Sequence, residues 1–178
     1  MRALIPGSFD PITLGHINII ERASPMFEKI YVAVMNNDSA KHDESLSSKT
    51  QYMFTPEERL ELVRRSVAHI PNAQAVLWGG MLIDFCDAYD IVAVIRGVRN
   101  AADFEYEAIH ARWNREHNPR AQALLMPADD DLCGLSSTKI REAIAKGELS
   151  ALEESLHPDA LTYIKQLQKG IKQHGNKD

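Results

Sequence analysis

Arg2-Ala3-Leu4-Ile5-Pro6-Gly7-Ser8-Phe9-Asp10-Pro11-Ile12-Thr13-Leu14-Gly15-His16 is the stretch from which the build of the chain is read. Arg2 to Ile5 is a short apolar run ended by Pro6-Gly7, the pattern of a buried strand. A helix is expected to begin near Gly15, with Ile17, Ile20, Ala23 and Phe27 recurring on one face. A glycine-bearing turn between strand and helix lets the backbone approach a phosphate closely. The helix that follows offers free N–H groups and the positive end of its dipole to an anion. His16 at that point can donate a hydrogen bond to a phosphoryl oxygen, and a phosphate beside it can raise its pKa and bring positive charge. The plainer alternative is that His16 caps the helix and Gly7 turns the chain. Neither GxGxxG nor GxxxxGK[ST] occurs, which excludes a dinucleotide fingerprint and a Walker loop.

The same alternation continues along the chain. Ile30 to Met35 reads as a second strand, and Asn36 to Tyr52 as a long polar loop. Thr55-Pro56-Glu57-Glu58 announces a helix through a cap, a first-position proline and a capping box, with Leu60, Val63, Val67 and Ile70 facing the core. Ala75 to Trp78 is the third strand, and Leu82, Phe85, Cys86 and Tyr89 form the next helical stripe. Ile91 to Ile95 is the fourth strand, Ala101 to Asn114 a helix, and Ala121 to Met126 the fifth strand. Helices are expected from Ser137 to Lys146 and from Pro158 to Gln168. Residues 1–169 thus read as one α/β domain with a doubly wound, parallel five-stranded sheet, and 170–178 as a frayed polar tail. Ligands of such sheets bind beyond the carboxyl ends of the strands. Four loops converge on that edge: Gly7 to His16, the loop holding Lys41 and Lys49, Gly97 to Arg99, and Asp129 to Thr138.

Composition narrows the function classes. A formal charge of −5 argues against general nucleic-acid binding. No apolar run approaches the ~20 residues of a membrane span. Pro6-Gly7 interrupts any signal-peptide pattern, and Cys86 and Cys133 form no CxxC pair, so a cytoplasmic protein without a disulfide framework is expected.

Arg96 and Arg99 at the end of a buried strand require partners, because an unpaired buried charge is costly. Their forks suit phosphate oxygens. The alternative is structural pairing with Asp103, Glu105 or Glu107, against which their position at the ligand edge counts. Ser136-Ser137-Thr138 opens a helix whose hydroxyls and amides can cradle phosphate or simply cap. Lys139 and Arg141 in its first turn oppose the dipole, which an anionic ligand nearby rationalises.

Several runs then carry a resemblance. Pro6-Gly7-Ser8-Phe9-Asp10-Pro11-Ile12-Thr13 with Gly15-His16 resembles the T/HxGH signature of the nucleotidyltransferase superfamily, whose fold is Rossmann-like. Met53-Phe54-Thr55-Pro56-Glu57-Glu58-Arg59, Ile95-Arg96-Gly97-Val98-Arg99 with Ala102-Asp103-Phe104-Glu105-Tyr106-Glu107, and Leu135-Ser136-Ser137-Thr138 are similar to the bacterial phosphopantetheine adenylyltransferases. The similarity spans roughly residues 2 to 168 in the same order.

It implies adenylyl transfer from ATP to 4′-phosphopantetheine, giving dephospho-coenzyme A and pyrophosphate, the penultimate step of coenzyme A biosynthesis. It implies His16 as stabiliser of the transition state. Ser8, Phe9, His16, Gly97, Val98, Arg99, Glu107 and the run Leu132, Cys133, Gly134, Leu135, Ser136, Ser137, Thr138 are then expected around ATP. Ser8, Leu82, Arg96 and a loop lysine are expected on the acceptor. Lys41 and Lys49 both compete for the lysine role, and Lys49 is preferred as nearer Met53-Phe54-Thr55. No protein metal cage is expected, Mg²⁺ arriving with ATP. The resemblance further implies a homohexamer and feedback binding of coenzyme A in the same cleft.

The chain departs from the family pattern at Leu132-Cys133-Gly134, where an aromatic residue is common, and in a longer loop after the second strand. Rival readings are transfer to nicotinate mononucleotide, flavin mononucleotide or glycerol phosphate, and a nucleotide-binding module without turnover.

Overall fold

A computed structural model describes residues 1–36 and 52–174. Five strands, β1 (Arg2–Gly7), β2 (Lys29–Met35), β3 (Ala73–Trp78), β4 (Ile91–Val98) and β5 (Gln122–Pro127), form one sheet in the order β3-β2-β1-β4-β5. All four strand pairs are parallel. Six helices connect or follow them: α1 (Leu14–Ala23), α2 (Pro56–Ser66), α3 (Leu82–Ala88), α4 (Ala101–His117), α5 (Ser137–Lys146) and α6 (Pro158–His174). The sheet is therefore the doubly wound Rossmann-like arrangement expected from the sequence. The winding reverses between β1 and β4, which opens a crevice at their carboxyl ends.

The strands distribute their side chains with a period of two. Ala3, Ile5, Ile30, Val32, Val34, Ala93 and Ile95 enter a core shared with α1, α2, α5 and α6. Leu4, Ala33 and Val94 point to the opposite face, where Phe85 and Cys86 of α3 cover them. Tyr31, Trp78, Phe85 and Tyr89 close that second core by ring contacts, Phe85 stacking on Tyr89 at 4.3 Å. Burial raises the Cys86 thiol to a pKa of about 11. Helix α4 differs from the others. None of its residues is buried, and Phe104, Tyr106, Ile109 and Trp113 are exposed.

Local signals set the helix starts. Thr55 Oγ1 accepts from the Glu58 amide at 3.2 Å, while Glu58 Oε2 accepts from the Thr55 amide at 2.8 Å, completing the expected capping box. Several ends differ from the sequence expectation. β1 runs through Pro6 to Gly7, and β4 runs past Ile95 to Val98 because its pairing with β5 continues through Gly97↔Met126 and Val98↔Pro127. Gly97 and Val98 are thus strand residues. Phe27 lies beyond α1, after a 3₁₀ turn at Ser24–Met26, and still packs on the core. Val67 and Ile70 follow the end of α2 and are buried there. α4 continues to His117, and α6 passes Gln168 and the expected tail boundary to reach His174. No helix among the described residues is long and apolar enough to cross a membrane.

Candidate active site

The crevice between β1 and β4 holds a cavity of about 470 Å³. Three of the four loops expected at this edge line it: Gly7 to His16, the end of β4 through Arg99, and the segment from Ala128 to Thr138. The fourth, with Lys41 and Lys49, lies outside the described residues.

His16 is fixed by the helix it helps to start. Thr13 caps α1, and the Thr13 amide donates to His16 Nδ1 at 3.0 Å. An amide can only donate, so Nδ1 is the unprotonated nitrogen and Nε2 carries the proton of the neutral ring. Burial first, then the charges of Arg99 and Arg96, lower its pKa from the ordinary 6.5 to about 4. His16 is therefore a neutral hydrogen-bond donor. Nδ1 holds the capping role, one of the alternatives in the sequence, and leaves Nε2 as the one donor of a ring that also lines the cavity. Beside it, the α1 amides of Leu14 and His16 are taken by Ser155 O and Thr13 Oγ1, at 2.9 and 3.4 Å. Gly15, which lines the cavity, has no such amide partner among the described residues.

The turn before α1 is tightly built. Phe9 adopts φ +48°, a left-handed conformation costing of order 1–3 kcal/mol in a residue that is not glycine. Its ring folds back over Gly7, where a Cβ would meet it at 2.9 Å, and it meets the His16 ring edge-on at 5.3 Å. A side chain at position 7 would force that ring to move. Asp10, 2 % exposed, accepts from the Met53 and Phe54 amides at 2.9 and 3.0 Å, tying the turn to the segment leading into α2.

Arg96 and Arg99 are both paired. Arg96 donates from Nε and Nη2 to the two oxygens of Glu107 at 2.7 and 2.6 Å, and from Nη1 to Pro6 O at 2.8 Å. Arg99 donates from Nε to Asp103 at 2.8 Å, which raises its own pKa and lowers that of Asp103. The ion-pair alternative is thus realised, and within the cavity. A guanidinium has five N–H groups, so Arg96 keeps two, one on each terminal nitrogen, for a ligand.

Ser8, Phe9, His16, Arg96, Gly97, Arg99, Glu107, Leu132, Leu135, Ser136, Ser137 and Thr138, all named from the sequence, line this one cavity. Three expected residues do not. Val98 is buried; Cys133 Sγ is turned to the carbonyls of Arg99 and Ala128 at 3.8 and 3.9 Å; and the Gly134 carbonyl accepts from Lys139 Nζ at 3.2 Å. The basic pair in α5 also has another purpose than a ligand. Lys139 binds Gly134, while Arg141 donates to Asp10 O at 2.7 Å and lies 3.7 Å from the Asp10 carboxylate. Asp103 and Tyr106 line the cavity without having been expected there, although the Asp-Phe-Glu-Tyr-Glu run contained them.

A second cavity, of about 560 Å³, adjoins the first. Pro6, Gly7, Ser8, Arg96, Tyr106 and Glu107 belong to both. Leu82, expected on the acceptor side, lines the second together with Tyr52, Met81, Trp113 and Ala123. Among the described residues no group of three or more His, Cys, Asp or Glu side chains is placed to hold a metal ion.

A doubly wound sheet carrying a histidine donor, two arginines and two helix starts at its switch point defines an α/β protein of the nucleotide-binding class. Residues 4–143 match the cytidylyltransferase-like family model, and the chain belongs to that nucleotidyltransferase family. Two solved structures share the fold. A candidate nicotinate-nucleotide adenylyltransferase from Vibrio parahaemolyticus superposes with a TM-score of 0.66 at 17% identity, over 93% of this chain and 91% of that one. A lipopolysaccharide core biosynthesis protein from Thermoplasma volcanium superposes with a TM-score of 0.54 at 18% identity, over 73% of this chain and 98% of that one.

Proposed function

We propose that the protein transfers the adenylyl group of ATP to 4′-phosphopantetheine, forming dephospho-coenzyme A and releasing pyrophosphate. The observation that carries this reading is the sharing of Ser8 and Arg96 between the two cavities. An acceptor lying along Leu82, Met81 and Trp113 brings its phosphate to Arg96, facing a nucleotide α-phosphate above His16. The largely apolar second cavity suits a pantetheine arm better than a second charged nucleotide.

One oxygen of the acceptor phosphate attacks the α-phosphorus, the bond from that phosphorus to the β-bridging oxygen breaks, and pyrophosphate leaves. The nucleophile is already an anion, so no general base is needed. Positioning and electrostatic stabilisation dominate such transfers. The His16 Nε2–H and the Gly15 amide donate to the equatorial α-oxygens. Arg99 and the Ser136 to Thr138 helix start hold the β- and γ-phosphates, while the two remaining N–H groups of Arg96 orient the acceptor. The described residues form no cluster for a resident Mg²⁺. Mg²⁺ is the counter-ion that ATP brings. Coenzyme A, which shares both halves of the ligands, is proposed to bind the same cleft as a feedback inhibitor. A homohexamer is proposed with it, and the exposed Phe104 and Ile109 of α4 offer apolar surface for subunit contact.

The test is pyrophosphate release from ATP or CTP with a panel of acceptors. ATP with 4′-phosphopantetheine should turn over at least 10²-fold faster than with nicotinate mononucleotide, flavin mononucleotide or glycerol phosphate, given the loss when a site's buried polar groups go unpaired. A preference for nicotinate mononucleotide, the substrate class named for the Vibrio protein, would replace the acceptor half of this reading.

A further inference from the structure

Arg59 has no exposed surface and is the largest fully buried side chain of the described residues. A buried cation normally faces a carboxylate. Here it faces none among the described residues. Nη1 donates to Ser8 O at 2.7 Å and to Met35 O at 3.3 Å, Nη2 donates to Asn36 Oδ1 at 3.3 Å, and the guanidinium lies 4.1 Å from the Tyr52 ring centre. Its shortest contact is to the carbonyl of the turn that bears the cavity. The apolar packing of α2 comes from Leu62 and Val63, which enter the core on the same face of the helix.

The other end of the same peptide is the Phe9 amide. The Ser8–Phe9 bond is trans, so the Phe9 N–H points opposite to the Ser8 carbonyl. Phe9 is 2 % exposed, and its amide has no acceptor among the described residues. A buried amide without an acceptor is rare and costly. It lies in a residue that lines the first cavity and is held at a positive φ. We propose that Arg59 is the positioning residue of the nucleotide-phosphate site. By holding the Ser8 carbonyl on the far side, it turns the Phe9 N–H into the cavity, where it donates to a phosphate oxygen of the nucleotide. The hydrogen bond from a guanidinium also polarises that peptide and makes its N–H a stronger donor. The proposal rests on the nucleotidyltransferase reading and adds a donor and its support to it.

The test combines amide NMR on the full-length chain with kinetics, using ATP and inorganic pyrophosphate as probes. In the native protein the Phe9 amide should shift downfield with either anion, together with His16. Arg59→Met keeps the unbranched apolar stem of the side chain and removes every donor; its Phe9 shift should fall to less than half, with kcat about 10²-fold lower, the loss typical of one misplaced oxyanion donor. Arg59→Lys can reach Ser8 O but cannot also span Met35 and Asn36; an intermediate loss of about 10-fold is expected, a rescue that packing alone does not give. The KM for the acceptor should stay within about 3-fold in both. Should Arg59→Met not fold, the native Phe9 shift and Arg59→Lys carry the test. A Phe9 amide that stays still while His16 and Arg99 signals move overturns the role of Arg59 and leaves nucleotide binding intact. If neither anion moves any signal, the nucleotide reading falls as well.

Discussion

Replacing His16 separates its two nitrogens. Alanine removes both functions: the Nδ1 acceptor of the Thr13 amide at 3.0 Å and the Nε2 donor over the cavity. Loss of the donor should lower kcat about 10²- to 10³-fold, or ~2.7–4 kcal/mol of transition-state stabilisation. Loss of the cap should cost about 1 kcal/mol of stability. For a chain of this size that is a fall in Tm of about 2–4 °C. Asparagine distinguishes the two effects. Its Oδ1 falls where Nδ1 was and can accept from Thr13, but no atom reaches the position of Nε2. His16→Asn should therefore have the same low kcat as His16→Ala with most of the Tm restored. The assay is steady-state pyrophosphate release with ATP and 4′-phosphopantetheine, read beside a thermal melt. An asparagine variant with more than a tenth of native kcat at native Tm refutes the donor assignment. A loss in His16→Ala that disappears on cooling refutes it equally, since the deficit is then one of folding.

Three further outcomes are expected. Arg96→Ala should raise the KM of the acceptor about 10- to 100-fold, as for a lost hydrogen bond to a charged group, and that of ATP far less; Glu107 is left unpaired at the junction and repels the acceptor phosphate further. Isothermal titration with each ligand checks this, and a collapse of ATP affinity alone contradicts it. The second outcome concerns pH. His16 has a folded pKa of about 4 against 6.5 unfolded, so above pH 6.5 neither state is charged and the group contributes nothing. Below 6.5 the unfolded chain takes up the proton first and stability falls, levelling only below about 4. Between pH 7 and 5 this linkage amounts to about 2 kcal/mol. Urea melts of His16→Asn should show a correspondingly shallower decline, and parallel curves would argue against the lowered pKa. The third is Asp10→Asn, which sets an amide NH₂ against one of the two backbone donors and weakens the Arg141 contact. A loss of about 2–4 kcal/mol in urea unfolding is expected at pH 7, and a change below 0.5 kcal/mol would contradict it.

The parts of this protein that were legible in its sequence are those decided within a few residues. The Thr55–Glu58 capping box and the start of α5 at Ser137 depend on spacings of three, and both stand where the pattern puts them. The apolar runs locate all five strands for the same reason. Their ends were less legible, because β4 continues through Gly97 and Val98 only where β5 lies alongside to receive its hydrogen bonds. Lys139 and Arg141 show the limit more sharply. Read locally, two cations in a first helical turn ask for an anion. The group that answers Arg141 is Asp10, 131 residues earlier, and no local pattern contains that distance. Arg59 is of the same kind. In sequence it is one charged residue in a polar-rich helix; in the fold it is fully buried beneath the Ser8 carbonyl, 51 residues away.

The pairing of both cavity arginines with α4 has a consequence for how the cleft is held together. α4 buries none of its own residues, yet its first two turns carry Asp103 and Glu107, which bind Arg99 and Arg96 at 2.8 and 2.6 Å. Two ion pairs thus join the end of β4 to a helix that has no apolar anchor among its own side chains. The geometry of Arg96 follows from this arrangement. Glu107 occupies the side of the guanidinium formed by Nε and Nη2, Pro6 O takes one hydrogen of Nη1, and the group is held from two directions. A held guanidinium loses less side-chain entropy when it meets a phosphate, while the carboxylate tempers the attraction with its own charge. The same residue that neutralises Arg96 therefore also aims it. Removing Glu107 strengthens the field and loosens the aim at once, so its effect on binding and its effect on turnover should have opposite signs.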